Sequence, residues 1–267
     1  MNEVGVVVSR YWEDLKWVEE ITSPVDVYIY NRVGTVTVAG IRPNIVKTKD
    51  DIGNLDLEKM KCGVTNVEII EMEDDIGYEA STFAHHCHTR YDKLNEFTVF
   101  LQGHPSVYCR DIIRQINNPK EFIHTRRIAV DNEYNRGHNA TSKAKIEITE
   151  DHIECEFLSY DVVWLHPRFD YGWMPYQDNI SKAPFWEFCQ GIPGWKKDQV
   201  ESPEPFPFGP GSQTIVWKNR ILKHDAEYYK RVQRLCIDYV DPNPITPSWL
   251  TRNYGSTLFE PIWKFTF

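Results

Sequence analysis

The stretch Glu71–Pro105, EMEDDIGYEASTFAHHCHTRYDKLNEFTVFLQGHP, decides how this chain is read. It opens on an acidic turn. From Glu79 to Leu94 apolar residues fall at 80, 83, 84, 87, 91 and 94, a helical stripe. Phe97–Leu101 (FTVFL) is a short apolar strand by composition, and it stops abruptly at Gln102-Gly103-His104-Pro105. In an open α/β sheet, ligands bind outside the carboxyl ends of the strands. Gln102 and His104 are therefore expected to face a cleft.

Working outward, Val4–Val8 is a β-branched run that predicts a buried parallel strand ending at Ser9-Arg10. A helical pattern through Leu15, Val18 and Ile21 follows, with Glu13 and Asp14 in its first turn and Pro24 ending it. Asp26–Tyr30 predicts a second strand, Thr35–Ala39 a short one and Val67–Glu71 another. A helix is expected over Cys109–Ile116. The alternating runs 145–149 and 153–157 predict a β-hairpin about Glu150-Asp151. Val162–Leu165 and Thr214–Trp217 are further strands. Pro167–Gly211 is a long loop dense in Trp, Tyr, Phe, Pro and Gly. Asp225 is placed to cap a helix through Tyr229, Val232 and Cys236.

Composition bounds the function. The 267 residues suit one large α/β domain or two small ones, and a net charge of -9 argues against non-specific nucleic-acid binding. No apolar run is long enough for a transmembrane helix, and the first residues lack a basic leader, so a cytoplasmic protein is expected. The six cysteines contain no Cys-x-x-Cys pair, which favours free thiols over a disulfide framework or zinc site.

Several residues invite chemistry. His85-His86-Cys87-His88 resembles a metal cluster, but on a helix only His85 and His88 share a side, and Cys87 belongs to the apolar stripe. Glu79 stands at a helix start, where a carboxylate orients a ligand or caps. Ser9-Arg10 at a strand end makes an anion site, or Arg10 pairs with Glu13 or Asp14. Gln102 with His104 suits a sugar or base better than a divalent cation, which wants carboxylates. Glu73, Asp74 and Asp75 supply such carboxylates, or form a solvated turn. Glu260, between Phe259 and Trp263, is a partly desolvated carboxylate suited to general-base work, or a Glu that faces water.

Five stretches together resemble a known family. VVVSRYWEDLKWV (6–18), VYIYNR (27–32), DIGYEASTFAHHCHTRYDKL (75–94), FTVFLQGHP (97–105) and FEPIW (259–263) occur in order. They are similar to a family of proteins of unassigned function in fungi, bacteria and large viruses. That family carries "sRYnEDlsWl", "vGrE..tyl..i...Yd.L" and "tvFlQG.p" motifs. Residues 4–108 match well, 209–267 loosely, and 117–208 are not covered.

The resemblance implies a single GT-A-like, Rossmann-like glycosyltransferase domain over 1–267. Its central sheet is mixed, with a β-hairpin insertion and a long aromatic loop. Residues 1–108 would be the nucleotide-sugar-binding half and 109–267 the acceptor-binding half. The fold's usual Asp-x-Asp metal motif is replaced by Gln102-Gly103-His104. Ser212-Gln213 before a strand, with Glu260-x-x-Trp263, is similar to the core-2 branching and peptide-O-xylosyltransferase family. That family inverts, requires no metal and uses this Glu as base. Its Ser-Gln-Trp has Thr214 for Trp here, and the chain ends seven residues after Glu260.

The resemblance thus implies a nucleoside diphosphate sugar donor, with a lean to a UDP-sugar such as UDP-xylose, and a glycan or glycoprotein acceptor. Glu260 would be the catalytic base. Ser9, Arg10, Asn31, Glu79, Gln102, His104, Ser212, Gln213 and Lys218 would bind the donor. Arg220, Arg252 and Lys264 are further cations for the diphosphate. Trp173, Trp186, Trp195 and Trp263 would stack on acceptor sugars. No cofactor is required, and Mn²⁺ or Mg²⁺ held by His104 with Glu73, Asp74 or Asp75 is the alternative. A non-catalytic carbohydrate-binding protein on a degenerate transferase fold is the rival from another class. A glycoside hydrolase using Glu79 and Glu260 is a third.

Overall fold

A computed structural model describes residues 1–11, 13–32, 35–36, 45–46, 63–72, 78–107, 109, 111–118, 155–157, 163–165, 191–192, 206–208 and 213–239. Its centre is a mixed sheet. Strand β1 (Val4–Arg10) is parallel to β2 (Val25–Arg32) on one side. Strands β3 (Thr35–Val36) and β4 (Ile45–Val46) form a separate small antiparallel pair. Strand β5 (Val64–Met72) runs parallel to β2. Strand β6 (Phe97–Gln102) runs parallel to the other side of β1.

Strand β7 (Cys155–Phe157) closes the far edge, while β8 (Val163–Leu165) and β9 (Phe206–Phe208) pair antiparallel outside the main sheet. Strand β10 (Thr214–Trp217) inserts antiparallel between β6 and β7. The order is β5-β2-β1-β6-β10-β7. The helices among the described residues include α1 (Tyr78–Thr89), α2 (Ile112–Asn117), α3 (Lys218–Ile221) and α4 (Ala226–Asp238).

β1 reads as an unbroken apolar run because strands flank it and both its faces are covered; every residue of it is buried. Alternation divides its side chains. Val7, Tyr28, Tyr30, Met72, Phe100 and Val216 face one way, into a core completed by Phe83, Ala84 and Cys87 of α1 and Tyr229, Val232 and Cys236 of α4. Val6, Val8, Val27, Ile29, Val99, Leu101 and Ile215 face the other way, against Leu15, Val18, Ile21, Cys109, Ile112 and Ile116. Cys87, Cys109 and Cys236 are free and buried.

Two expectations change. The helix expected after Arg10 is only a 3₁₀ turn, Lys16–Glu20. Glu13 takes the Tyr11 N–H at 2.6 Å and Asp14 takes the Lys16 N–H at 2.9 Å, so side chains claim donors near the turn's start. The aromatic stretch read as loop contains β9, paired to β8. The strand within 153–157 pairs with β10, and residues 145–149, its expected hairpin partner, lie outside the described residues. Asp225 does cap α4, accepting the Tyr228 N–H at 2.7 Å.

The amino edge of the parallel strands is closed by one carboxylate. Asp26 accepts the Asn2 backbone N–H (2.8 Å) and the side-chain amides of Asn2 (2.8 Å), Asn66 (2.7 Å) and Asn95 (2.7 Å). Burial alone would raise its pKa. The donors from Asn66, Asn2 and Asn95 outweigh it and hold the carboxyl below its ordinary value. Among the described residues no helix is long and apolar enough to cross a membrane.

Candidate functional site at the carboxyl edge of the sheet

From β1 the chain moves outward to β2 and β5, then returns to the other side of β1 as β6. The sheet therefore has a topological switch point between β1 and β6. Their carboxyl ends, where Ser9 pairs with Gln102, form the place where open α/β sheets take ligands.

Register and alternation sort the side chains there. Arg10, Asn31 and Glu71 are cross-strand partners on β1, β2 and β5, so they stand side by side on one face. Arg10 Nη1 donates to Asn31 Oδ1 at 2.7 Å, and Asn31 Nδ2 lies 3.4 Å from each Glu71 carboxylate oxygen. Arg10 Nε donates to Glu13 O at 3.0 Å. The loop then closes on β6. Trp17 Nε1 donates to Gly103 O at 3.0 Å, and a Cβ at Gly103 would lie 2.6 Å from Glu13 Oε2.

Ser9 and Arg32 emerge on the opposite face, under α1. The Ser9 and Thr82 hydroxyls are 3.0 Å apart. Arg32 donates to Thr82 Oγ1 through Nε (3.1 Å) and Nη2 (2.8 Å), and through Nη2 to Tyr78 O. Its guanidinium lies 5.4 Å from the Tyr11 ring centre, and the Tyr11 ring meets Tyr78 edge-on. Tyr78, with φ 40, starts α1 in the left-handed region, a conformation that costs a bulky residue about 1–3 kcal/mol. Arg32 pins that turn through the Tyr78 carbonyl.

Arg10 and Arg32 are each 1% exposed, and Ser9 and Asn31 are fully buried. Beside them Glu79 keeps part of its surface open. Burial pushes its carboxyl up to about 7, against the pull of its own backbone N–H and of Arg32, while Glu13 pushes it further up. A carboxyl poised there can exchange a proton near neutrality or hold a ligand hydroxyl. With Glu13, Glu71 and Glu79 against Arg10 and Arg32, the edge mixes both signs. Among the described residues, no group of three or more His, Cys, Asp and Glu side chains could hold a metal ion.

The structure brings Ser9, Arg10, Asn31, Glu79 and Gln102 to this edge. Gln102 is half-buried and His104 exposed just beyond. Gln213, leading into β10, is fully buried and donates to Pro105 O at 3.2 Å; its Oε1 finds no partner among the described residues. Lys218 stands at the other end of the sheet. Its N–H bonds Glu96 O, just before β6 begins, and Arg220 follows it on α3. Neither cation reaches the switch point from there.

Glu260, Ser212, Trp173, Trp186, Trp195, Trp263, Arg252, Lys264, Glu73, Asp74 and Asp75 lie outside the described residues. Sequence reading missed Arg32 and Thr82. Alternation carried one step past Tyr28 and Tyr30 would have put Arg32 on their face. Compared with known proteins, the chain matches no family model, no curated protein and no solved structure.

Proposed function

We propose that the chain is a glycosyltransferase of the GT-A kind, moving a sugar from a nucleoside diphosphate donor to a glycan hydroxyl with inversion. One observation carries this reading: a parallel-sheet switch point whose carboxyl edge gathers Arg10, Asn31 and Glu71 on one face and Ser9, Arg32, Thr82 and Glu79 around the other. The donor would seat above Gln102. Arg10 and Arg32 would contribute charge from below rather than direct contacts, and Glu79 would hold a donor hydroxyl. Glu260 would take the proton of the attacking hydroxyl as that oxygen meets the anomeric carbon and the nucleoside diphosphate departs. Trp173, Trp186, Trp195 and Trp263 would stack on the acceptor.

Thermal-shift measurement against UDP, GDP, TDP and CMP, each with Mn²⁺ and with EDTA, tests the donor. A nucleotide at about 100 times its dissociation constant stabilises the fold by about 2.7 kcal/mol. A shift from one nucleotide supports the reading and gives the donor family. Loss of that shift in EDTA selects the metal-dependent form built on His104 with Glu73, Asp74 or Asp75. Glu260→Gln then retains the shift and lowers turnover by about 10²–10⁴-fold; turnover left intact removes Glu260 as the base.

A second reading, a carbohydrate-binding protein without transfer chemistry, draws on a specific observation. Ser9, Arg10 and Asn31 are buried and committed to protein partners. A shift with glycans and none with any nucleotide selects it.

A further inference from the structure

Away from the carboxyl edge, α1 and α4 meet along a seam whose inner side is apolar. On its outer side His85 and His88, three residues apart on α1, have ring centres 5.0 Å apart. Both address one carboxamide on α4. His88 Nε2 is 2.7 Å from Gln233 Oε1, and Gln233 Nε2 is 3.3 Å from His85 Nδ1.

A carboxamide offers an acceptor oxygen on one side and a donor nitrogen on the other. As placed, His88 donates to the oxygen and His85 accepts from the nitrogen. If the amide is turned over, the roles exchange. In both orientations one imidazole must present a lone pair, so one must be neutral. We propose that His85, His88 and Gln233 form a pH-sensitive clasp between α1 and α4, closed while one imidazole is neutral and released when both carry a proton.

The surroundings keep the imidazoles neutral while the seam is closed, so opening is linked to proton uptake and is favoured on acidification. Burial first, then the neighbouring His88, holds His85 below its ordinary pKa, and burial does the same for His88, each against an upward pull from the Gln233 hydrogen bond. From β2, Arg32 opposes a proton on His85, and Tyr30 sets its ring edge-on 5.8 Å away. Arg90, just past α1, also opposes it. On α4, Lys230 opposes a proton on His88 and Glu227 favours one. His86, between the two, turns into the core toward Tyr30. The spacing of His85 and His88 also suits a transition metal, but these cations count against one and Gln233 already occupies the point of convergence. Because α1 carries Tyr78 and Thr82 to Arg32, loosening it reaches the candidate site.

Amide hydrogen exchange on the full chain tests the clasp, comparing residues 226–238 with 4–10 at about pH 7.5 and about pH 5.5, corrected for intrinsic rates. In the wild type, protection of 226–238 falls about tenfold on acidification while 4–10 changes by less than about twofold. In Gln233→Leu, 226–238 starts at the lower level and hardly responds. The His85→Gln/His88→Gln double variant, which cannot be charged there, also ceases to respond. An equal response in wild type and Gln233→Leu overturns the proposal, as does a parallel fall in 226–238 and 4–10.

Discussion

Acidification sets a buried and a half-buried group of the α1 region against each other. His86 is buried, with Nδ1 2.9 Å from the Tyr30 hydroxyl and Nε2 without a partner among the described residues. Burial first, then the charges of Arg90 and His85, lowers its pKa from 6.5 to about 3. In the unfolded chain it takes a proton below 6.5, and in the fold it does not until about 3. Its contribution to stability is thus present above 6.5 and lost as pH falls, by about 1.4 kcal/mol per unit, or about 2 kcal/mol between about pH 7 and about pH 5. Glu79 has the opposite sign. Its folded value of about 7 lies above the ordinary 4.5, so the fold binds its proton first and gains stability over the same window. That gain is also about 2 kcal/mol at most, less what its partial exposure screens.

Taken alone, these two contributions nearly cancel from about pH 7 to about pH 5, while the lowered His85, His88 and His224 add a further loss on acidification, so the wild type should lose stability over this range with two opposed slopes concealed within it. Urea midpoints of three proteins expose them. Measured against the wild type at each pH, His86→Leu should gain and Glu79→Gln should lose on acidification, each by about 1–2 kcal/mol between about pH 7 and about pH 5. Taking the change of that difference with pH removes both the constant cost of losing the Tyr30 contact and the titration of the histidines common to all three proteins. Asp26 stays out of the window, because its lowered carboxyl titrates only at more acid pH. If the wild type and His86→Leu differ by the same amount throughout the range, His86 is not neutral for the reason given.

Other perturbations reach different parts of the sheet. Gly5→Ala puts a Cβ 2.4 Å from Asn95 Oδ1, displacing a donor to Asp26; a loss of about 1–3 kcal/mol in urea unfolding is expected. Arg32→Lys keeps the charge but not the fork that reaches Thr82 and Tyr78, and should cost about 1–3 kcal/mol while increasing hydrogen exchange in the first turn of α1. Asp225→Ala removes the cap of α4 and should lower stability by about 0.5–2 kcal/mol, with Asp225→Asn restoring most of it.

The parallel strands were legible because burial on both faces leaves a continuous apolar run, as in Val4–Val8 and Phe97–Leu101. The start of α4 was legible because Asp225 is a local signal. The segment after Arg10 was misread for a reason visible in its spacing. Leu15, Val18 and Ile21 are three apart, the period of a 3₁₀ turn as much as one face of an α-helix, and all three are buried. Thr82 was not legible at all. Nothing in an Ala-Ser-Thr-Phe run says which hydroxyl will meet a guanidinium delivered by a strand 50 positions earlier.

The two edges of the sheet differ in how their polar groups are arranged. At the amino edge the polar groups converge on Asp26, which receives hydrogen bonds from Asn2, Asn66 and Asn95 and has no room beside it, as the Gly5–Asn95 approach shows. At the carboxyl edge neighbouring strands end in basic residues of opposite parity. Arg10 pairs with Asn31, so Arg32 lies one residue further along and on the other face. A one-residue slip of β2 against β1 would put both guanidiniums on one face and take Arg32 away from Thr82. The register that buries Val27 and Ile29 against one layer, and Tyr28 and Tyr30 against the other, is thus the same register that supports the edge from both sides. Glu79, part open above that support, is the titratable group of this edge that burial holds near neutrality.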